Sequence, residues 1–242
     1  MNTLAKLITS SILALLMLSC NFDFDIGTGV TGNGNVLTED RILNDDFNAI
    51  EVSRGLDVYI TQSGDYGLSV EADENLHDII LTEVENGTLK ITTSDNIRKS
   101  KSQKVMVNAK NLEAIKATSG SDVYSEGLIS ASNLKLTASS GADLNVEVKA
   151  DQLICSASSG SDIKVAGNTT NLEAKATSGS DINAKNLIAE YSDVEANSGA
   201  DISVHSSKEL TANANSGGDV RYYGNPEKVN KTDGVSGSVR KN

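Results

Sequence analysis

Hydrophobic and polar residues alternate around a short motif, Ser-Gly-small-Asp, that occurs six times between residues 119 and 219. The third residue before each motif glycine is always Ala, and the third residue after it is always Val, Leu or Ile. The positions between these are mostly polar. A period of two is typical of a β-strand with one buried face, so each repeat is predicted to hold two short strands joined at the glycine.

The glycines of successive motifs are 18 to 21 residues apart, a spacing too regular to arise by chance. A repeat of about 20 residues accommodates two strands of five to seven residues and two corners. We therefore predict an all-β protein, a parallel β-solenoid (β-helix-like, a two-sheet superhelix) with about 20 residues per coil. The Leu and Asn pattern of a leucine-rich repeat is absent, and a β-propeller needs about 40 residues per blade.

The N-terminal half of the chain carries the same register in a less regular form. Around Gly55 the alternation runs from Ile50 to Ile60 with larger inward side chains, which predicts a further coil. Residues 84–91 alternate around an Asn-Gly pair. Because Asn-Gly is favoured by two-residue hairpin turns, a β-hairpin is predicted there.

One continuous domain is predicted over residues 36–242. Its first part, 36–110, is interpreted as wider coils and a cap, and its second part, 111–242, as the regular Ser-Gly-x-Asp repeat. Ser236 and Gly237 repeat the corner once more near the end of the chain. We interpret them as part of a degenerate coil that closes the stack, because a bare last coil would offer an unpaired strand edge.

The first residues have the pattern of a signal peptide, with one lysine, an apolar run that ends at Leu18, and then Ser19 and Cys20. The apolar run is too short to span a membrane. Its end resembles the lipobox of bacterial lipoproteins, in which the chain is cut before the cysteine and the cysteine is lipidated. We predict a signal peptide over 1–19, then a lipidated Cys20 and a flexible tether over 20–35. An ordinary secretory signal with an incidental cysteine is the alternative.

Composition refines this picture. Apolar residues make up 38% of the chain, aromatic residues only 4%, and Trp is absent, so the core must be a repeated thin layer of Ala, Val, Ile and Leu. The net charge of −12 becomes −13 if Lys6 leaves with the leader, and an acidic surface argues against nucleic-acid binding. Cys155 falls on the inward positions and is interpreted as a small buried side chain rather than a reactive thiol.

Several segments together resemble a known family. They are the lipoprotein-type leader, the segments 47–52 and 58–60, the stretch 86–91, and the ladder of Ser-Gly-Ser-Asp corners. Over residues 40–240 the chain resembles the family of Gram-negative bacteria described as putative auto-transporter adhesin, head GIN domain. The resemblance implies a β-superhelix similar to pectin-lyase-like folds, whose Gly-Ser-Asp motif turns between two sheets. It also implies a role in cell adhesion and no assigned catalytic residues.

The repeated motifs supply the candidate site residues, which are interpreted as structural residues of the turns. They are Gly120, Asp122, Gly141, Asp143, Gly160, Asp162, Gly179, Asp181, Gly199, Asp201, Gly217 and Asp219. If the coils stack in register, neighbouring carboxylates lie about 5 Å apart and repel by roughly 0.8 kcal/mol in water. Calcium would offset this repulsion, but calcium-binding β-rolls use a shorter, nonapeptide repeat.

We therefore expect each aspartate to accept N–H groups of its own turn, helped by Ser hydroxyls, and to face water. No metal, cofactor or catalytic residue is predicted. Calcium binding by the row of aspartates is the alternative.

The remaining polar clusters are less informative. The run 98–104 is a basic loop, interpreted either as a solvated loop or as a contact for anionic lipid or surface polysaccharide. Tyr222 and Tyr223 are the best candidates for a sugar platform, although a role in the cap is favoured. His77 and His205 are far apart in sequence and are interpreted as surface residues rather than as ligands.

These features predict a non-enzymatic, exported lipoprotein of the outer membrane, facing either the periplasm or the cell surface, that acts as an adhesin or interaction scaffold. The lipid on Cys20 would tie it to the membrane, and surface polysaccharide or another envelope protein would be its partner. Nucleic acid is not a predicted partner. A carbohydrate-active enzyme similar to polysaccharide lyases and a calcium-stabilised structural module are the alternatives.

Overall fold

The computed structural model describes residues 29–242, so the predicted signal peptide, Cys20 and the first residues of the tether lie outside the described residues. Strands account for 69% of the structure and no α-helix is present in the described part of the chain. The fold is a β-solenoid of about 7 turns with about 19 residues per coil. The predicted fold class is therefore confirmed.

The strands are numbered in chain order. They are β1 (Val30–Thr31), β2 (Val36–Asp40), β3 (Ala49–Val52), β4 (Asp57–Gln62), β5 (Gly67–Asp73), β6 (Ile80–Glu85), β7 (Thr88–Thr93), β8 (Ile97–Lys99), β9 (Gln103–Ala109), β10 (Ala114–Thr118), β11 (Asp122–Ser139), β12 (Asp143–Ser158), β13 (Asp162–Thr177), β14 (Asp181–Asn197), β15 (Asp201–Asn215), β16 (Asp219–Tyr223), β17 (Lys228–Asp233) and β18 (Ser238–Lys241). One 3-10 turn, Glu74–Leu76, follows β5.

The strands of the regular coils are longer than the five to seven residues predicted from the repeat length. Each of β11 to β15 runs for 15 to 18 residues from a motif aspartate to the residue before the next Ser-Gly pair. In β12 the buried positions alternate as far as Ala150 and resume at Leu153, so the chain turns a second corner there. Pairing with β13 continues on both sides of that corner, since Ala150 pairs with Thr169 and Gln152 with Asn171.

The irregular N-terminal half forms coils of the same stack. Strands β3 and β4 flank the Gly55 corner and pair in parallel with β10 and β11, which confirms the coil predicted there. Strands β7 and β9 form a further coil on their other side, although they come later in the chain. The predicted hairpin is also confirmed, because β6 and β7 pair antiparallel around Asn86 and Gly87.

The two ends of the solenoid are closed differently. At the N-terminal end the antiparallel strands β6, β5 and β2 cover the first coil. At the other end β17 pairs with β15 and β18 pairs with β16, so the degenerate coil closes the stack as expected. Every residue of β17 is exposed. Its lysines Lys228 and Lys231 suit an edge strand, because charged edges discourage pairing with another chain.

The last residues of the predicted tether belong to the domain. Strand β1 pairs in parallel with β8, and the N–H of Gly34 donates to the carboxylate of Asp73 at 2.8 Å. The prediction of a tether over 20–35 is therefore wrong for residues 29–35, because backbone and carboxylate hydrogen bonds fix this stretch against the first coil.

The core consists of inward columns of small and branched side chains that stack from coil to coil. The alanines before each corner form one such column, and Ala117, Ala138, Ala176 and others in it are fully buried. Cys155 lies on the next inward column between Leu136 and Ala174. Burial raises the pKa of its thiol to about 12, so Cys155 stays a neutral packing residue at neutral pH.

Candidate functional site

The Ser-Gly corners place two consecutive residues in the left-handed region of backbone conformation. At the corner after β13, Ser178 has φ 60° and Gly179 has φ 66°, and the other motif corners have similar values. Hydrogen bonds between coils continue through the corners, since the N–H of Gly179 donates to the carbonyl of Ser198 at 3.1 Å. The six motif glycines named from the sequence thus lie together in one column at the edge between the two sheets.

At the three corners that carry Ser121, Ser161 or Ser180, a buried serine closes the turn in place of the aspartate expected from the sequence, whereas the other three corners have Ala or Gly at this position. The hydroxyl of Ser180 accepts the N–H of Thr177 at 3.0 Å and lies 2.9 Å from the carbonyl of Ala157 in the preceding coil. Ser161 makes the equivalent contacts with Ser158 and Ala138. The hydroxyl occupies this position because the serine side chain points inward at the corner, whereas the side chain of the following aspartate points outward.

The aspartates stack in register into one outward column, as the repeat predicts. The column runs through Asp57, Asp122, Asp143, Asp162, Asp181, Asp201 and Asp219. Lys104 pairs with its first member and Ser238 with its last. Its carboxylates bond to the next coil, since Asp143 accepts the N–H of Asp162 at 3.3 Å and Asp219 accepts the hydroxyl of Ser238.

Stacking changes the acidity of this column. Partial burial raises the pKa of Asp57, Asp122, Asp162 and Asp201 above the usual value of an aspartate. Neighbouring carboxylates add to the rise in pKa at Asp122 and Asp162, because like charges disfavour ionisation. Residues 29–242 contain no group of three or more His, Cys, Asp or Glu placed to hold a metal ion.

The second corner of each coil, here called the far corner, lies opposite the Ser-Gly corner. Its outward residues form a column of amides that ends in an aromatic and two charged residues. This column consists of Asn133, Gln152, Asn171, Tyr191, Glu209 and Lys228. The sequence does not reveal this column, since far-corner residues carry no repeated motif and are recognised only once the coils are aligned.

Two shallow depressions lie on either side of the far corner. The first, of about 660 Å³, has Lys149, Asp151, Asn168 and Ile188 in its wall. The second, of about 390 Å³, is lined by Gln152, Asn171, Tyr191, Ser192 and others. Depressions of this size, lined by amides, hydroxyls and a few apolar groups, suit small polar ligands or single units of a polymer.

The basic loop predicted as a contact for anions lies at the N-terminal end of the solenoid. Residues 94–102 replace the Ser-Gly corner between β7 and β9. The side chains of Arg98, Lys99 and Lys101 are exposed, and Lys104 lies 3.8 Å from Glu71. Because β1 pairs with β8, this loop lies where the chain joins the domain. Its contact with lipid or polysaccharide stays a prediction.

The aromatic candidates Tyr222 and Tyr223 both lie at the C-terminal end of the stack. Tyr222 packs partly against the core and Tyr223 pairs with His205 in the closing coils. The only stacked aromatic pair in the described part of the chain is Tyr59 with Tyr124, with ring centroids 5.2 Å apart beside the aspartate column. The sequence contained a signal for this pair, because both tyrosines stand two residues after a stacked aspartate.

The two histidines have different environments. His77 is buried, contrary to the interpretation as a surface residue, with Nδ1 3.2 Å from a carboxylate oxygen of Glu39 and Nε2 3.3 Å from the carbonyl of Leu37. It ties the edge strand β2 to the cap. His205 is half-buried in β15, where it lies beside Gly224.

Comparison with known families gave one match that covers most of the chain. The family model described as putative auto-transporter adhesin, head GIN domain matches residues 46–226. The match includes β3 to β16 and therefore all six Ser-Gly corners. Comparison with the curated proteins gave no match.

Solved structures share the fold at low sequence identity. A putative adhesin from Bacteroides fragilis is 21% identical, with a TM-score of 0.81 over 88% of this chain and 100% of that one. A putative adhesin from Parabacteroides merdae is 24% identical, with a TM-score of 0.72 over 89% and 100% of the two chains. A protein from Parabacteroides distasonis described as a putative lipid binding protein is 24% identical, with a TM-score of 0.70 over 88% and 99%. These likenesses concern the fold.

Proposed function

Because the chain belongs to the family described as putative auto-transporter adhesin, head GIN domain, we propose that it is a non-enzymatic, lipid-anchored adhesin or interaction scaffold of the cell envelope. The match over residues 46–226 carries this proposal. The repeated coils support it, since a solenoid presents a long, rigid flank on which polar residues recur at the spacing of the strands.

The proposed anchor is the lipidated Cys20 after removal of residues 1–19. It rests on the lipobox-like end of the leader, and it places the protein at the outer membrane, on the periplasmic or the surface side. No helix in residues 29–242 has the length and apolar character needed to cross a bilayer.

The proposed contact surface is the far corner with its two depressions. Its exposed Ile188 and Tyr191 lie among amides and hydroxyls, a mixture that is common where proteins bind polar ligands. Surface polysaccharide or another envelope protein would be the partner. Lipid binding, which is the description given to the Parabacteroides distasonis protein, is a second candidate function. The basic loop, which lies where the predicted tether enters the domain, favours lipid binding by this chain.

The anchor is tested by Cys20→Ser in the full-length protein expressed in its own cells. We expect the wild-type protein in the membrane fraction and the variant released in soluble form. Protease added to intact cells then shows which side of the outer membrane the protein faces, since only a surface-facing solenoid is digested. Retention of the variant in the membrane would contradict lipid anchoring through Cys20.

The adhesive role is tested by comparing cells that lack the protein with cells that express it. We expect loss of binding to a polysaccharide-coated or epithelial surface, and recovery when the wild-type protein is restored. A lyase assay on acidic polysaccharides is run on the purified protein. Unsaturated products in that assay would overturn the non-enzymatic proposal in favour of the carbohydrate-active alternative.

A further inference from the structure

One coil departs from its neighbours at three positions of the far corner. In β14 the outward positions carry Ile188 and Tyr191, and the inward position carries Ser192. Polar side chains flank Ile188 and Tyr191 in their columns, whereas Leu flanks Ser192. The equivalent residues are Ser130, Lys149, Asn168 and His205 for Ile188, Asn133, Gln152, Asn171 and Glu209 for Tyr191, and Leu134, Leu153, Leu172 and Leu210 for Ser192.

The departures expose apolar surface outside the coil and bury a polar group inside it, and Lys208 lies over the ring of Tyr191 with its Nζ 5.5 Å from the ring centroid. Ile188 is 49% exposed and Tyr191 is 42% exposed, so neither contributes its apolar surface fully to the core. Ser192 is 4% exposed, and its hydroxyl has no hydrogen-bond partner in the described part of the chain. A buried polar group without a partner is unfavourable, and local violations of a fold's own pattern concentrate at functional sites.

Two of the three departures meet at one place. Tyr191 and Ser192 line the depression of about 390 Å³, together with Gln152, Asn171, Glu173 and Asp193. Ser192 is smaller than the leucines stacked on either side of it, so the core behind the tyrosine is filled less completely. Ile188 lies across the corner in the neighbouring depression, which extends the surface around the edge of the coil.

The chemistry of the lining selects an uncharged polyhydroxylated ligand. The two amides supply donors and acceptors, and the two carboxylates accept hydroxyl protons. The nearby cations are already paired, Lys208 with Glu190 and Lys228 with Glu209, both at 2.6 Å. An anionic ligand would therefore meet uncompensated carboxylates, whereas the apolar face of a sugar ring packs well on an exposed aromatic ring.

We propose that this depression binds a neutral pyranose unit of a polysaccharide, with Tyr191 under the sugar ring and Asn171 and Gln152 bonding its hydroxyl groups. The inference deepens the proposed function and rests on it, because it supplies the ligand of the adhesin.

The test compares wild-type protein with Ser192→Leu and Tyr191→Asn on an array of neutral oligosaccharides and of sulfated and uronic-acid oligosaccharides. We expect the wild type to bind neutral glycans, Tyr191→Asn to bind at least about tenfold more weakly, and Ser192→Leu, whose side chain faces the core, to bind like the wild type. Ser192→Leu restores the leucine column and so should keep or raise Tm, and it checks that repacking the core behind Tyr191 does not by itself change binding. Tyr191→Asn copies the amide of the preceding coil, and Asn133→Ala, three coils from Tyr191, is the control that should bind normally.

Three results overturn the site. They are binding restricted to anionic glycans, equal binding by the wild type and Tyr191→Asn, and no binding to any glycan. If the protein supports cell adhesion in these cases, the adhesive role stands and the site is wrong. If Tyr191→Asn loses glycan binding but cells without the protein adhere normally, the site stands and the adhesive role is wrong.

Discussion

At each Ser-Gly corner, glycine is favoured by the left-handed backbone conformation and not by a lack of space for a side chain. At Gly179 an added Cβ would meet no heavy atom within 4 Å, so only the left-handed φ favours glycine there. At Gly167, in the middle of β13, an added Cβ would lie 2.0 Å from the carbonyl oxygen of Val148 in the preceding coil. The same residue type therefore answers two different physical demands in one coil.

The two glycines should respond differently to alanine. Gly179→Ala should cost about 1 kcal/mol from the left-handed backbone alone, a fall in Tm of about 2–4 °C. Gly167→Ala must also displace the neighbouring backbone and should cost several kcal/mol. Thermal unfolding of both variants checks this, and equal shifts in Tm would contradict the distinction.

At the scale of the strand, the inward column of alanines sets the separation of the two sheets. Ala176 stacks between Ala157 and Ala196, and it is fully buried. Lys175 is the preceding residue and faces outward, where its Nζ lies 3.0 Å from a carboxylate oxygen of Glu195. One strand therefore offers a matched pair of positions that differ in facing and in little else.

A large side chain should be tolerated on one face only. Ala176→Phe overpacks the layer and should destabilise the protein by about 1–3 kcal/mol, with a clear fall in Tm. Lys175→Phe loses a surface ion pair worth at most about 1 kcal/mol and should leave Tm nearly unchanged. Equal effects in thermal unfolding would show that the register is wrong.

The aspartate column is the electrostatic weak point of the same strands. Burial and the charge of Asp143 raise the pKa of Asp162, so the folded protein holds this proton more tightly than the unfolded chain does. The stabilisation that follows from the raised pKa is complete below about pH 4, the unfolded value, and is lost as the pH rises through the folded pKa.

Asp162→Asn should therefore raise Tm slightly at pH 7, by about 1 °C because water screens this exposed group. The advantage should vanish near pH 3, where wild-type Asp162 is protonated. Asp151→Asn, at the far corner outside the column, is the control. A gain in Tm that persists unchanged at pH 3 would mean that charge repulsion in the column is not its cause.

At the scale of the whole molecule, the two ends of the stack are closed by different means. Strands β17 and β18 close the C-terminal end with a charged edge, whereas the N-terminal end is tied by Asp73. Burial alone would raise the pKa of Asp73, but hydrogen bonds from the N–H groups of Gly34, Lys101 and Ser102 lower it below the usual value. This carboxylate joins the segment after β1 and the basic loop to the cap strand β5.

Asp73→Asn should loosen this end while leaving the regular coils intact. We expect amide hydrogen exchange to become severalfold faster at Gly34, Lys101 and Ser102, with unchanged protection in β12 to β14. The wild type should lose the same protection in acid, because a lowered pKa gives stability that is lost as the pH falls through the folded value. Uniform loss of protection along the chain would instead indicate that the solenoid unfolds as one unit.

The sequence alone determined the coil. The alternation from Ile50 to Ile60 and around Gly179 identified the inward positions and the corners, because facing along a strand is a local property with a period of two. Stacking in register followed from the nearly constant repeat length. The leader and Cys20 are also sequence features, and they lie outside the described residues.

The tertiary structure decided everything that depends on the neighbouring coil. In the structure Ser180, and not Asp181, closes its turn, and His77 is buried. Residues 29–35 are held against the domain, and β7 and β9 lie beneath β3 and β4. The depression at Tyr191 belongs to the same class, since its walls come from coils about 20 residues apart. Such contacts form between segments that share no local pattern, and only the packing of one coil on the next brings them together.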